Sequence, residues 1–271
     1  MNISVQTDPG TFDRTDPVAI RSVIRMGHYR GYTAGFAPER VQANICILPR
    51  RDAEDFLLYC QRNPKPCPLI ARSDVGNPLL PQLGKDIDIR SDVPRYHVFR
   101  DGELTEEVDN IEHLWCDDLV TFVLGCSFSF ERALVDSGVP LRFLDRDEVA
   151  GVYESNIDTL AAGKFSAKLV VTMRPFKAAD AIRAIQITSR FPNVHGAPVH
   201  LGDPALIGVD LARRYKDVGS SEVAPGEVPL FWACGLTPQL AAANAKPSIC
   251  ITHAPSSMLV TDVLNASLAS F

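Results

Sequence analysis

Ala43-Asn-Ile-Cys-Ile-Leu48, stopped by Pro49 and followed by residues 52–63, is the stretch that decides the fold. Its first half is a short, nearly continuous apolar run ended by proline, the pattern of a buried strand. The second half is amphipathic, with Phe56, Leu57 and Cys60 on one face, and predicts a helix. A strand that passes directly into a helix is the unit of an α/β architecture, and the same alternation recurs along the chain.

Upstream, Asp16 reads as an N-cap and Pro17 as the first position of a helix through Val18-Ala-Ile-Arg-Ser-Val-Ile24. Downstream, Cys67-Pro-Leu-Ile-Ala71 is a further strand, and residues 96–108 form a hairpin about Asp101-Gly102, whose residues accept the positive dihedrals of a tight turn. Over residues 110–137 the spacing of Ile111, Leu114, Trp115, Leu119, Ala133 and Leu134 predicts helix, broken at Gly125 and closed by Gly138 and Pro140. Residues 151–168 lack strong periodicity. Strands follow at 169–173, 198–201, 231–234 and 248–252, with helices at 178–191 and 238–245. The expected fold is therefore α/β: a mixed sheet with flanking helices in a larger domain, residues 1–150 together with 229–271, plus a smaller α+β domain of residues 151–228. No internal repeat is visible, which excludes a solenoid.

The 271 residues are 46% hydrophobic and 22% charged, enough for a substantial core. The net charge of −6, with Lys and Arg scattered, provides no basic surface, so nucleic acid is not an expected partner. Met1-Asn-Ile-Ser-Val-Gln-Thr-Asp-Pro-Gly10 has neither a basic start nor an apolar stretch, which points to the cytoplasm rather than to secretion. The longest apolar run, residues 119–130, is interrupted by Thr, Gly and Ser and falls short of the roughly 20 residues that cross a bilayer, so no membrane partner is expected either. Seven cysteines stand singly, without Cys-x-x-Cys or zinc-type spacing. They read as reduced thiols, and neither a metal nor a cofactor is implied.

Candidate chemistry lies in turns beside the apolar runs, where a scaffold usually holds its functional groups. His195-Gly-Ala-Pro-Val-His200 and Ile251-Thr-His253-Ala-Pro place three imidazoles in such turns, and near-neutral titration suits them to move protons. Taken one at a time, each is more often a hydrogen-bonded structural residue. His195 and His200 with Asp203 also have a metal-like look, but no further ligand is spaced recognisably. Phe231-Trp-Ala-Cys-Gly235-Leu-Thr-Pro238 is a turn of the same build.

Gly125-Cys-Ser-Phe-Ser129-Phe-Glu131 sets Cys126, Ser127 and Ser129 at a helix start, where free N–H groups attract a carboxylate. A plain serine cap over packed Phe128 and Phe130 accounts for the phrase equally well. Arg62, Lys65 and Arg174 flank prolines, where a guanidinium or ammonium can be aimed at a carboxylate. Gln42 and Asn44 share a face of the first strand and suit a polar substrate, or a satisfied core network.

Read in order, Val41-Gln-Ala-Asn44, Cys60-Gln-Arg-Asn-Pro-Lys-Pro-Cys-Pro68, Asp88-Ile-Arg-Ser-Asp-Val-Pro-Arg-Tyr96, Gly125 to Glu131, Met173-Arg-Pro175, His195 to His200 and Ile251-Thr-His-Ala-Pro255 resemble the D-glutamate cyclase family. Glu39 and Ser256-Ser257 depart from its pattern, each standing where glycine is expected after Ala-Pro. The resemblance implies a two-part α/β fold and a hydro-lyase acting on a small amino or hydroxy acid, in the characterised case the closure of D-glutamate to 5-oxo-D-proline and water. For such a reaction Arg174 or Arg62 would grip the α-carboxylate. Ser127, Ser129 and the helix start would hold the other carboxyl group, and His253 or His195 would move protons. The other readings left open are a cofactor-free racemase working through Cys126 and Cys234, and a non-catalytic amino- or oxo-acid-binding protein. The expected partner is a small carboxylate substrate, with a homo-oligomer left open.

Overall fold

In the computed structural model, which describes residues 12–144 and 149–270, the opening strand β1 (Arg40–Pro49) is buried at nine of its ten positions. The phrase from Met1 to Gly10 lies outside the described residues. One flank of β1 pairs with β5 (Leu119–Leu124), Asn44 facing Leu124 and Pro49 facing Leu119. The other flank is shared: β11 (Leu259–Leu264) pairs with its first half and β10 (Cys250–His253) with its second. β2 (Leu69–Arg72) lies outside β5, while β3 (Tyr96–Arg100) and β4 (Glu103–Val108) continue beyond β10 to give seven strands. The β3–β4 turn has the two positive dihedrals expected of Asp101 and Gly102, φ +50° and +89°.

Helix α2 (Arg50–Arg62) follows β1 as expected and buries Ala53, Phe56, Tyr59 and Cys60. The Phe56 ring centroid lies 4.9 Å from that of Phe122 and 5.2 Å from that of Phe165, edge-on in both cases. Each such pair adds about 0.5–1.5 kcal/mol beyond the area it buries. Helix α1 (Pro17–Arg25) begins where the cap predicts, Asp16 accepting from Val18 N–H at 3.0 Å.

A second sheet of four strands runs β6 (Gly151–Asp158), β7 (Lys168–Lys177), β9 (Glu227–Ala233), β8 (His200–Leu201). Three helices join the two sheets. α3 (Phe128–Asp136) packs on β1 and on α4 (Ala178–Thr188), which covers β7 and β9, while α5 (Leu236–Ala245) touches both β7 and β10. One apolar cluster accordingly contains Ile45 and Val123 from the first sheet, Leu230 and Trp232 from the second, and Phe130 and Leu134 from α3. No helix among the described residues is long and apolar enough to cross a membrane.

The α/β architecture with flanking helices is as expected, with three local differences. Residues 119–124, taken for helix, are the strand β5: all six are buried, so no alternation betrays the pleat, and Val120, Thr121 and Val123 are branched residues that suit it. Helix within residues 110–137 is limited to a short 3₁₀ turn at Glu112–Leu114 and to α3. Strands β6 and β11 were not anticipated. The pairings between named strands run antiparallel in both sheets rather than in mixed directions. The β1–α2–β2 connection explains this, because the strands it joins are separated by β5, which is antiparallel to both.

Candidate active site

Two strand ends, one from each sheet, turn into helices at the same place. β5 passes through Gly125-Cys126-Ser127 into α3, and β9 passes through Cys234-Gly235 into α5. Neither helix start is capped by a side-chain oxygen. The leading amides are met locally, Phe128 N–H and Leu236 N–H by the sulfurs of Cys126 and Cys234, and Ser129 N–H and Thr237 N–H by the carbonyls of the same cysteines at 3.2 and 3.0 Å, so what each start offers an anion is the positive end of its helix dipole. Both turns need glycine for close approach: a Cβ on Gly125 would lie 2.4 Å from Asn193 O, and one on Gly235 would lie 2.6 Å from Asn44 Nδ2.

Between the helix starts is a cavity of about 60 Å³ lined by Asn44, Cys126, Ser127, Thr172, His195 and Cys234, with Gly235 completing the wall. His195 sits in the left-handed region at φ +83° and is 1% exposed. A non-glycine residue held there costs on the order of 1–3 kcal/mol, a strain that functional sites often store. Its Nδ1–H donates to Lys65 O at 2.7 Å, which leaves Nε2 as an unpartnered acceptor. Burial, reinforced by the charges of Arg174 and Lys65, pushes its pKa down to about 4. At neutral pH it is therefore an uncharged base.

His253 is 4% exposed and stands behind Asn44 rather than in the cavity wall. Its Nδ1 lies 2.7 Å from Ala254 O, and its Nε2 lies 3.0 Å from Asn44 Oδ1 and 3.5 Å from Gln239 Nε2. Burial lowers its pKa to about 4 as well, so the ring carries a single N–H, which donates to one of the two facing oxygens, Ala254 O or Asn44 Oδ1. Asn44 is held from the other end by donating from Nδ2 to Gly125 O at 2.8 Å.

Arg174 is 1% exposed and also lies behind the wall. It pairs with Glu131, donates to Thr172 Oγ1 at 2.9 Å and to Ser127 Oγ at 3.2 Å, and rests over the rings of Phe130 and Trp232. Ser127 Oγ donates in turn to Glu131 Oε1 at 2.9 Å. The guanidinium charge is thus met by Glu131, and Arg174 supports two wall residues instead of gripping a ligand directly. Glu131 closes the phrase that begins at Gly125, of which the sequence singled out only the cysteine and the two serines. Thr172 went unnoticed, although its place two residues before Arg174 on one strand puts both on the same face.

The remaining candidates separate from the cavity. His200 faces Phe231 across the β8–β9 pair, and Phe231 faces Met173, whereas Thr172 and Arg174 occupy the alternate positions of β7. His200 is therefore on the opposite face of the sheet, donating from Nε2 to Asp203 O at 2.8 Å, and cannot share a ligand with His195. Arg62 is exposed and donates to Ala161 O. Ser129 is 1% exposed with an unpartnered Oγ outside the cavity wall. Gln42 donates to Thr33 O and Phe36 O at 2.9 and 2.8 Å and lines a neighbouring cavity of about 220 Å³.

A buried imidazole that shares a confined cavity with two helix starts is the make-up of a candidate active site. Residues 120–262 match the family described as D-glutamate cyclase. A protein of Afipia carboxidovorans, named provisionally as a hydro-lyase, is 68% identical over 262 residues, covering 97% of this chain and 96% of its own. Similarly named proteins of Bordetella pertussis (60% over 249 residues, 91% and 89% covered) and Pelagibacter ubique (50% over 265 residues, 95% and 99% covered) match as well. The chain belongs to the D-glutamate cyclase family, and it is a lyase. A solved nitrogen repressor-like protein from Methanococcus jannaschii aligns at a TM-score of 0.37 and 11% identity over 80% of this chain and 86% of that one, too distant to inform function.

Proposed function

We propose that the chain closes D-glutamate to 5-oxo-D-proline with release of water, acting in the cytoplasm on this small dicarboxylate. The observation that carries the reading is His195, an uncharged buried base whose free Nε2 shares a confined cavity with two helix starts. Ring closure needs the substrate ammonium deprotonated, the side-chain carboxyl held for attack, and the chain folded so that nitrogen meets carbon. One helix start, at Ser127, takes the carboxyl group under attack; the other, at Gly235, takes the α-carboxylate.

His195 Nε2 receives one proton from the ammonium, the freed amine attacks the side-chain carboxyl carbon, and the negative charge gathers on oxygen against the start of α3. His195 delivers that proton and then a second one from the same nitrogen to the departing oxygen. Two of the three ammonium protons leave in water and the third stays on the lactam nitrogen. Closure is intramolecular, so enforcing the folded conformer supplies much of the acceleration, up to about 7–11 kcal/mol for well-oriented groups. Fixed dipoles aimed at the developing oxyanion are worth roughly 3–4 kcal/mol more.

We also propose two structural units, residues 1–150 with 234–271 and residues 151–233. The membership of β9 in the second sheet supports moving it to the smaller unit. The functional reading is tested by incubating the purified protein with D- and L-glutamate and separating the products by chromatography. 5-Oxo-D-proline from the D-enantiomer is expected, and no lactam from either enantiomer would overturn the reading.

A further inference from the structure

Four of the seven cysteines, Cys46, Cys60, Cys67 and Cys250, are buried in one apolar cluster, and Cys116 is exposed. Cys126 and Cys234 are the two that are half-buried, and both line the cavity. They hold matching positions: each lies between a strand end and a helix start, next to a glycine that no other residue can replace without a clash. Each sulfur accepts from the amide two residues on, Cys126 from Phe128 N–H and Cys234 from Leu236 N–H. One comes from the first sheet and the other from the second, so the thiols enter from two walls. Ring closure uses neither of them.

We infer that Cys126 and Cys234 exchange the α-hydrogen of the amino acid held in this cavity, acting as a paired base and acid, so that the chain inverts its substrate as well as dehydrating it. The inference rests on the reading that the cavity holds an amino-acid carboxylate. One thiol first gives its proton to His195 Nε2. The resulting thiolate takes the hydrogen of Cα as a proton, forming S–H, and the electron pair of the C–H bond passes into the α-carboxyl group as an enediolate. The second thiol donates its proton to the other face of Cα, and the thiolate left there recovers a proton from His195 Nε2. The proton count is unchanged over the cycle and no oxidant or reductant is required.

Local donors suit this chemistry, since an amide at a helix start stabilises a thiolate and also the charge that gathers on the enediolate oxygens. Burial raises the thiols, Cys126 to about 12 and Cys234 to about 11. Both thiols are therefore protonated near neutral pH, and the thiolate forms beside the ammonium of a bound substrate.

The test is incubation with D-glutamate in D₂O, following the α-hydrogen by proton NMR and the enantiomers by chiral chromatography, while 5-oxoproline is measured separately. Loss of the α-hydrogen signal with appearance of L-glutamate is expected, and Cys126→Ser and Cys234→Ser should each slow exchange about 10²-fold or more. Lactam formed with its α-hydrogen retained would overturn the inference and leave ring closure standing. Exchange without lactam would support the inference and overturn ring closure. Exchange at the wild-type rate in either serine variant would also overturn it. Should a variant fail to fold, alkylation of the wild-type protein decides: D-glutamate should protect Cys126 and Cys234 together, as read by mass spectrometry, and lack of protection at either would overturn the pairing.

Discussion

His253 Nε2 lies 3.0 Å from Asn44 Oδ1, and Asn44 Nδ2 donates to Gly125 O at 2.8 Å, so one carboxamide ties the end of β10 to the turn that opens α3. His253 thereby acts on the cavity through Asn44, whereas His195 faces it directly. His253→Ala should lower kcat about tenfold, the worth of one neutral hydrogen bond of roughly 1.4 kcal/mol. His195→Ala should lower it about 10²–10⁴-fold, as expected for an acid–base group. Steady-state kinetics on D-glutamate checks the order, and a larger loss at His253 would reverse the assignment.

Both histidines also set the pH dependence of stability. The unfolded chain binds a proton on each near the ordinary value of 6.5, while the folded chain resists until about pH 4. Their contribution is complete above pH 6.5 and is lost as pH falls toward 4, by about 1.4 kcal/mol per pH unit for each histidine. Urea midpoints measured at pH 7, 6 and 5 should fall steadily. His195→Gln should reduce that slope by about half, and an unchanged slope would show that His195 is not held uncharged.

Legibility in the sequence followed the physics of each segment. β1 and α2 could be read because proline separates an apolar run from an amphipathic one, and the Asp101-Gly102 turn because its dihedrals demand those residues. β5 was misread because a strand buried on both faces carries no period of two, and its apolar residues continue in step with those of α3. Around the cavity, His195, Cys126 and Ser127 could be singled out because they lie in turns at element ends, and Asn44, in mid-strand, because it is an amide within an apolar run. His200 belonged to the same phrase as His195, but pleat alternation, visible only once β8 is registered on β9, turns it to the other face. Arg174 was expected to be free because its partner Glu131 is 43 residues away in sequence and only the packing of α3 on β7 brings them together.

The Arg174–Glu131 pair is buried at both ends, with side chains 1% and 7% exposed. Removing one charge leaves the other uncompensated, a change that costs about 3–5 kcal/mol in buried pairs. Glu131→Gln should lower stability in denaturant titrations by that order. The double variant Glu131→Gln with Arg174→Met should recover part of the loss. Additive losses would show that the pair is not coupled.

Gly125 is the position where a single methyl group connects packing to catalysis. A Cβ there would lie 2.4 Å from Asn193 O and 2.7 Å from Val194 Cγ1. The first of these is backbone and cannot rotate away, so Gly125→Ala must displace the turn that presents His195 two residues after Asn193. Overpacking of this kind costs roughly 1–3 kcal/mol, and a misplacement near 1 Å can cost about 10²-fold in rate. Gly138→Ala is the control, because φ is +71° there but nothing lies within 4 Å of the added carbon. It should lose about 1 kcal/mol to backbone strain alone and keep its kcat. Thermal melts with lactam assays separate the two effects: Gly125→Ala should lose activity out of proportion to stability, and equal activity in both variants would show that the position of His195 does not govern turnover.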